Sequence, residues 1–405
     1  NTTIIQNSDR LAVDWESFNI AAEERVQFIQ PDSSSVALNR ILGNEASQIF
    51  GRLDANGHVI LMNPNGVLFG ENATVNVGGL VASGLSINAN DFMNGDFVLR
   101  AIDGTEGTVI NRGIINAATG GNVALIGRQV DNQGLISAKL GSVNLAAGKE
   151  AVLTFDNEGL LGVRVSQEIL QSELGVEAAV SNSGDITAEG GRILLTGSVS
   201  QDIFSQAVNS DGLNVKTSVV MHEDGSFTLG AGADVVNTGT LNTSSNTSAA
   251  GQIVVLGENI NNSGAILANN KSANAAGNIE IHSRDTTLVT EQSQISATND
   301  GAGSGGQIKI LGDRVGVLDQ SHINASGTNG GGDINIGGGF QGKETQLRNA
   351  TRTVVGKDAL IEANAITEGD GGDVIVWADQ TTSFTGEINA RGGELGGNGG
   401  FVEVS

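Results

Sequence analysis

Four histidines, His58, His222, His282 and His322, are the first place to look for acid–base or metal chemistry. They fall in different stretches of the chain, and no acidic residue recurs at a fixed companion offset. A glycosidase or lyase site needs several acids, with Arg or Lys, converging on one face. The nearest approach is Asp370 and Asp373 in the segment EGDGGD (368–373), which also reads as a solvated glycine corner. A calcium site there would need further oxygen ligands at repeated spacing, and the glycine–aspartate nonapeptide of calcium-binding solenoids is absent. His282, with Arg284 and Asp285, reads as a surface strand end. The residues therefore predict neither an enzyme nor a metal or cofactor site.

Two short blocks offer a different kind of chemistry. Asn39-Arg40-Ile41-Leu42 and Asn63-Pro64-Asn65-Gly66 combine amides, a proline and a glycine at turn-forming positions. In the second, Asn at the first position can bond its own backbone, Pro presets φ, Asn tolerates the bridge region and Gly closes the turn. The blocks are read either as a recognition signal for a partner or as locks. In the second reading Asn39 and Asn63 hold corners while Ile41 and Leu42 fill the core. Eight Asn-x-Ser/Thr sequons are also present, and those at Asn242, Asn246, Asn261 and Asn270 lie in a Ser/Asn-rich stretch that makes them the glycosylation candidates.

The elements that must position these residues are written in a repeat. Short strands such as NRGIINA (111–117), NQGLISA (132–138), NSGDITA (182–188) and NSGAILA (262–268) are each followed by a partner such as GGNVAL (120–125), AGNIEI (276–281), GGQIKI (305–310) or GGFVEV (399–404). Partner strands begin at 120, 140, 190, 250, 276, 305, 331, 371 and 399. A unit of 20 to 29 residues with some insertions marks a solenoid, whose units cannot bury their apolar faces alone. Alternation within strands, Ile279 and Ile281 against Asn278 and Glu280, has period two and means β. Gly and Asn at strand ends are read as suppliers of left-handed corner angles.

A right-handed parallel β-helix follows, all-β, with about 13 to 15 coils and a length on the order of 65 Å at about 4.8 Å per coil. Residues 1–30, aromatic and without glycine punctuation, are predicted to cap it. Residues 31–405 form one helix with its motif-bearing part at 31–110. Excursions are expected near 149–181 and 198–236, where units are 25 to 35 residues too long. The final strand ends without a cover, which predicts a fragment of something longer.

Composition narrows function further. The formal charge of −24 argues against nucleic acid, whose phosphates would be repelled. No apolar run reaches the roughly 18 residues of a membrane span. Cysteine is absent, which suits a chain exported unfolded.

The run from Trp15 to Ser83 with its NRIL and NPNG blocks, together with GKEAVLTFDNEGLLGVRVS (148–166), resembles the secretion domain of two-partner-secretion exoproteins, the filamentous-haemagglutinin family. GGDVIVWAD (371–379) and GGNGGFVEVS (396–405) resemble the subgroup of high-molecular-weight adhesins of the HMW and EtpA type. One departure is Ile41, where that family often has Val. The resemblance implies recognition in the Gram-negative periplasm by an outer-membrane β-barrel transporter through its POTRA domains. It implies secretion to the cell surface, folding there, adhesion to a host ligand by the full-length protein, glycosylation, and a monomer without cofactor. The competing expectation is a self-contained binding module whose own surface contacts a host ligand.

Overall fold

The computed structural model describes residues 1–156, 159–167, 179–196, 220–221, 227–228 and 234–405. They fall into two compact units. The first holds residues 1–156, 159–167, 179–187, 194–196 and 234, and the second holds 188–193, 220–221, 227–228 and 235–405. Each unit is a right-handed parallel β-helix.

In the first unit a coil has three strands, one on each of three sheets. The first face runs from Thr2–Ile5 through Arg25–Ile29, Arg52–Ala55, Thr74–Val77, Ile114–Ala117 and Leu135–Ser137 to Asp185–Thr187, all parallel. The second runs from Arg10–Trp15 through Val36–Ile41, His58–Met62, Gly79–Ser83 and Val123–Gly127 to Ser142–Ala147. The third contains short strands such as Val67–Phe69, Thr108–Asn111 and Gln129–Asn132. The second unit repeats the plan, with Ala265–Leu267, Asn278–Ser283 and Thr286–Val289 forming one representative coil.

The sequence repeat captured two strands of the three. The NxG motif is the corner between the third and first faces, and the GG pair is the corner before the second. Inside, identical positions stack. Val75, Ile115, Ile136 and Ile186 align in the first unit, and Leu241, Ile266, Ile295, Ile323 and Ile361 in the second. All nine are fully or almost fully buried.

The corner residues work differently from the sequence expectation. No Asn has a positive φ among the described residues; the non-glycine exceptions are Leu140, Glu291, Asp319 and Gln341. The repeat asparagines instead form buried ladders through their side chains. Asn111 Nδ2 donates to Asn132 Oδ1 at 2.8 Å and Asn132 Nδ2 to Asn182 Oδ1 at 2.7 Å. In the second unit Asn237 Nδ2 donates to Asn262 Oδ1 at 2.6 Å, and Asn262 Nδ2 to Ser293 Oγ at 2.6 Å. The glycines are there for close approach. A Cβ on Gly306 would sit 2.0 Å from Gly277 O, and one on Gly332 would sit 2.0 Å from Gly306 O. Breaking a ladder leaves buried amide atoms without partners, at about 1–3 kcal/mol each. Asn132→Ala takes one partner each from Asn111 Nδ2 and Asn182 Oδ1 and is expected to cost about 3 kcal/mol in urea unfolding.

Residues 1–30 are built as a coil of the same helix: Thr2–Ile5 pairs with Arg25–Ile29, and Arg10–Trp15 with Val36–Ile41. Its aromatics turn inward. Phe28 is buried, and Trp15 meets the buried Phe18 edge to face with ring centroids 5.5 Å apart.

Two segments of the first unit leave the coil. Residues 84–107 form an arm with a short helix, Ala89–Asn94, started by Asn88 Oδ1 accepting from Asn90 N at 2.8 Å and stopped at Gly95 with φ 88°. The strand Val98–Arg100 then pairs antiparallel with Glu150–Asp156, itself the first strand of a hairpin completed by Gly159–Gln167. Of the excursion expected near 198–236, all but 220–221, 227–228 and 234–236 lies outside the described residues. Val220–Met221 pairs antiparallel with Phe227–Thr228.

The arm and hairpin cover the outer side of the second face. Val36, Leu38, Ile60, Met62, Val81, Ala124, Ile126 and Ala146 point outward and are buried against Leu85, Phe92, Leu99, Ala151 and Leu153. This explains why His58–Met62 reads HVILM without alternation: both its faces are buried.

Candidate functional site

The two blocks meet at one corner of the first unit. Strand parity points Ala37, Asn39 and Ile41 to the interior and Val36, Leu38, Arg40 and Leu42 outward. Asn39, fully buried, donates from Nδ2 to Ala37 O and Ile60 O, both at 3.3 Å, and accepts from Trp15 Nε1 at 3.0 Å. Arg40 Nε lies 3.2 Å from Asp14 Oδ1. Ile41 is buried, as a lock requires. Leu42 is not a core residue: it is 56% exposed, because outward parity carries it past the covering arm.

The Asn63–Gly66 segment is a turn closed by Gly66 N donating to Asn63 O at 2.9 Å, with Asn65 N donating to Asn63 Oδ1 at 3.0 Å. Gly66 takes φ 113°, where a side chain would be strained, and a Cβ there would also meet Thr108 O at 2.8 Å. The turn is a staple across three coils. Toward the preceding coil, Asn63 Nδ2 donates to Glu45 O at 2.9 Å and Ser47 Oγ at 3.1 Å, and Asn65 Nδ2 to Gly43 O at 2.9 Å. These acceptors lie just beyond Leu42, so the second block grips the exit of the first. Toward the arm, Asn63 N donates to Ser83 O and Gly107 N to Pro64 O, both at 2.9 Å. Asn63, Pro64 and Gly66 are buried, and Asn65 is partly exposed. Arg40, Leu42 and Asn65 are therefore the members of the blocks that present surface in the folded protein.

The remaining candidates are dispersed. His58 and His282 are buried, and His222 lies outside the described residues. Burial pushes the His282 imidazole below its ordinary range, with Glu280 pulling the other way from 3.8 Å. His322 Nε2 is 2.8 Å from Glu362 Oε2 on the outer side of the first face. Asp370 Oδ1 accepts from Asn398 N at 2.6 Å, as a corner lock would. Among the described residues no cluster of three His, Asp or Glu could hold a metal ion. Of the sequon candidates, Asn246 and Asn261 are exposed and Asn242 is half-buried. Asn270 is unsuited in the folded chain: it is fully buried, and its Nδ2 donates to Ser248 O at 2.9 Å.

One charged cluster of the first unit escaped the sequence reading. Asp54 sits between Arg25 and Arg52 on the outer side of the first face, accepting from both guanidinium groups and from Asn76 Nδ2 at 3.2 Å. Burial raises its pKa, but these donors outweigh burial and hold the carboxyl below its usual value of 3.8. A depressed carboxyl stabilises the fold at pH above its unfolded pKa, and that contribution is lost as pH falls through the folded value. Below about pH 4, thermal unfolding of the wild type should lose stability more steeply than that of Asp54→Asn.

Comparisons with known proteins bear on this geometry. The family model described as the TPS secretion domain matches residues 1–243, which include both blocks, the arm and the hairpin. A heme/hemopexin-binding protein of Haemophilus influenzae strain Rd is 39% identical over 193 residues, 46% of this chain and 21% of that protein. A second Haemophilus influenzae heme/hemopexin-binding protein is 51% identical over 81 residues, 20% of this chain and 9% of that one. The chain thus matches about a fifth or less of the length of these curated relatives. The crystal structure of the HMW1 secretion domain from Haemophilus influenzae superposes with TM-score 0.65 at 26% identity, covering 98% of this chain and 90% of that one. That family is one of secretion domains and not of enzymes. With a family match over more than half its length and a β-helix like that of a solved member, the chain belongs to the TPS secretion domain family, and its role is secretion targeting.

Proposed function

We propose that this chain is the secretion-targeting part of a longer adhesin-type exoprotein. A partner outer-membrane β-barrel transporter recognises it in the periplasm of a Gram-negative bacterium, through soluble POTRA domains. The exoprotein is then delivered to the cell surface, where the β-helix folds. The observation that carries this reading is the family match over residues 1–243, because it spans the corner where Asn63 staples three coils. The physics is consistent with it. Each coil docks on the one before through local ladders, so a chain emerging end first can fold progressively without a long-range search. Fusing residues 1–405 to a passenger and co-producing the partner transporter tests the proposal: export of the passenger only when the transporter is present is the expected result.

A second reading, a self-contained binding module, draws on the relatives, which are named as heme/hemopexin-binding proteins. Adhesion of isolated residues 1–405 to host cells, or capture of hemopexin by them, without transporter-dependent export of a passenger, would favour it.

A further inference from the structure

In the second unit a loop leaves the helix at Gly337 and returns at Ala350, whose N donates to Gly337 O at 2.6 Å. The loop is anchored by the buried Leu347 and by Arg348 Nη1, which donates to Ser283 O at 3.3 Å. Between this loop and the outer side of the second face lies a cleft of about 410 Å³. That is within the range of small-ligand sites. Two phenyl rings wall it: Phe340 from the loop and Phe401 from the approach to strand Val402–Val404, edge to face with centroids 5.4 Å apart. They are 43% and 46% exposed, so aromatic surface is left open on a polar molecule.

Apart from the buried Ile375, the rest of the lining is acidic and amide. Asp333, Asp373 and Glu344 contribute carboxylates and Asn335 an amide. Glu344 Oε1 is held by Phe340 N at 2.8 Å. Asn335, 8% exposed, donates from Nδ2 to Gly338 O at 3.3 Å, which leaves Oδ1 as a further acceptor. Among the described residues neither the Asp333 nor the Asp373 carboxylate has a hydrogen-bond or salt-bridge partner. Burial, and then the charges of Asp373 and Glu344, push the Asp333 carboxyl above its ordinary range against the weaker pull of Lys309. Negative charge is thus concentrated beside two open phenyl rings, and Lys309 offsets it only in part.

We propose that this cleft binds an organic cation, an alkylammonium or guanidinium group, with its alkyl stem against Phe340 and Phe401 and its charged head between Asp333 and Asp373. Cations are attracted both to ring faces and to carboxylates, and both attractions strengthen where water is partly excluded. The phenyl walls select a cation carrying hydrocarbon over a bare metal ion.

The test is a titration of the full 405-residue chain with butylammonium, butylguanidinium and neutral butanol, followed by calorimetry and by NMR of the phenylalanine rings. The two cations should bind and shift the Phe340 and Phe401 resonances, with butanol at least ten-fold weaker. Asp333→Asn with Asp373→Asn should weaken the cations at least ten-fold, and Phe401→Leu about five-fold, with unfolding temperatures not lowered by the Asn variants, because neither carboxylate has a partner to lose among the described residues. Glu291→Gln with Asp319→Asn, on another acidic corner, controls for the general charge of the chain and should change nothing. Equal binding of butanol, an equal loss in the control, or no shift of the two rings would overturn the proposal. Comparing a blocked lysine with cadaverine then separates the two sources of the head group, a protein side chain or a free diamine. Passenger export is untouched by these variants if the site is independent of secretion.

Discussion

Asn63→Ala is expected to lower the stability of the first unit by about 3 kcal/mol and to weaken export along with the fold. The side chain is fully buried and makes four bonds: two donated to the preceding coil, at Glu45 O and Ser47 Oγ, and two accepted within its own turn, from Asn65 N and Asn65 Nδ2. Alanine removes all four and leaves a buried carbonyl, a hydroxyl and an amide N–H to find new partners. The loss should spread in both directions, because Gly107 N bonds Pro64 O at the base of the arm and Asn65 Nδ2 bonds Gly43 O beyond Leu42. Urea unfolding of the purified variant and a secretion assay measure the two effects. An Asn63→Ala protein with wild-type stability that is nonetheless not exported would show that the block is recognised directly. Leu42→Ser is the complementary probe. Leu42 is largely exposed, so stability should stay within about 0.5 kcal/mol, and a loss of export would then report a contact with the transporter.

The sequence carried the β-helix because the second-face strands and the NxG corners recur with recognisable side chains: Ile279 and Ile281 alternate with polar partners, and Asn132 with Gly134 repeats as Asn182 with Gly184 and Asn262 with Gly264. The third strand was hidden. Val180–Asn182 and Ile260–Asn262 are three residues long and present too few inward side chains for a period to show. The roles of Asn and Gly were hidden for another reason. A glycine that needs φ > 0, such as Gly66, and one that needs a missing Cβ against the next coil, such as Gly306, look identical in sequence. Leu42 departs from the core role expected of it because it follows the strand's end at Ile41 and continues the outward parity. The clefted loop at 337–350 left one trace, the 40-residue spacing between the partner strands at 331 and 371, and Phe340 and Glu344 lie inside that insertion. The arm left Asn88 and Gly95 as helix signals, but its apolar residues, Phe92 and Leu99, make sense only against an outer sheet face that the repeat implies should be wet.

That covered face gives the other large expected effect. Phe92→Ala should destabilise the first unit by about 3–5 kcal/mol. Phe92 is 1% exposed and stands edge to face with Phe97 at 5.7 Å, capping outward-pointing Leu38, Ile60 and Met62. An ordinary β-helix strand would place polar groups there, facing water. Here most of that face is apolar, so loosening the arm exposes a contiguous apolar strip rather than a tolerable surface. The variant should therefore bind a hydrophobic dye such as ANS under conditions where the wild type does not, and it should self-associate. The effect should reach the NPNG turn, because the arm springs from Ser83, whose carbonyl accepts from Asn63 N, and returns through Gly107, whose N bonds Pro64 O. Gly84→Ala attacks the same junction from the backbone, since a Cβ there would lie 2.1 Å from Gly107 O. If the arm is a structural cover, the two variants should share one signature: dye binding, a lower unfolding midpoint and loss of export. A Phe92→Ala protein that loses less than about 1 kcal/mol and binds no dye would show that the outer face is stable without its cover.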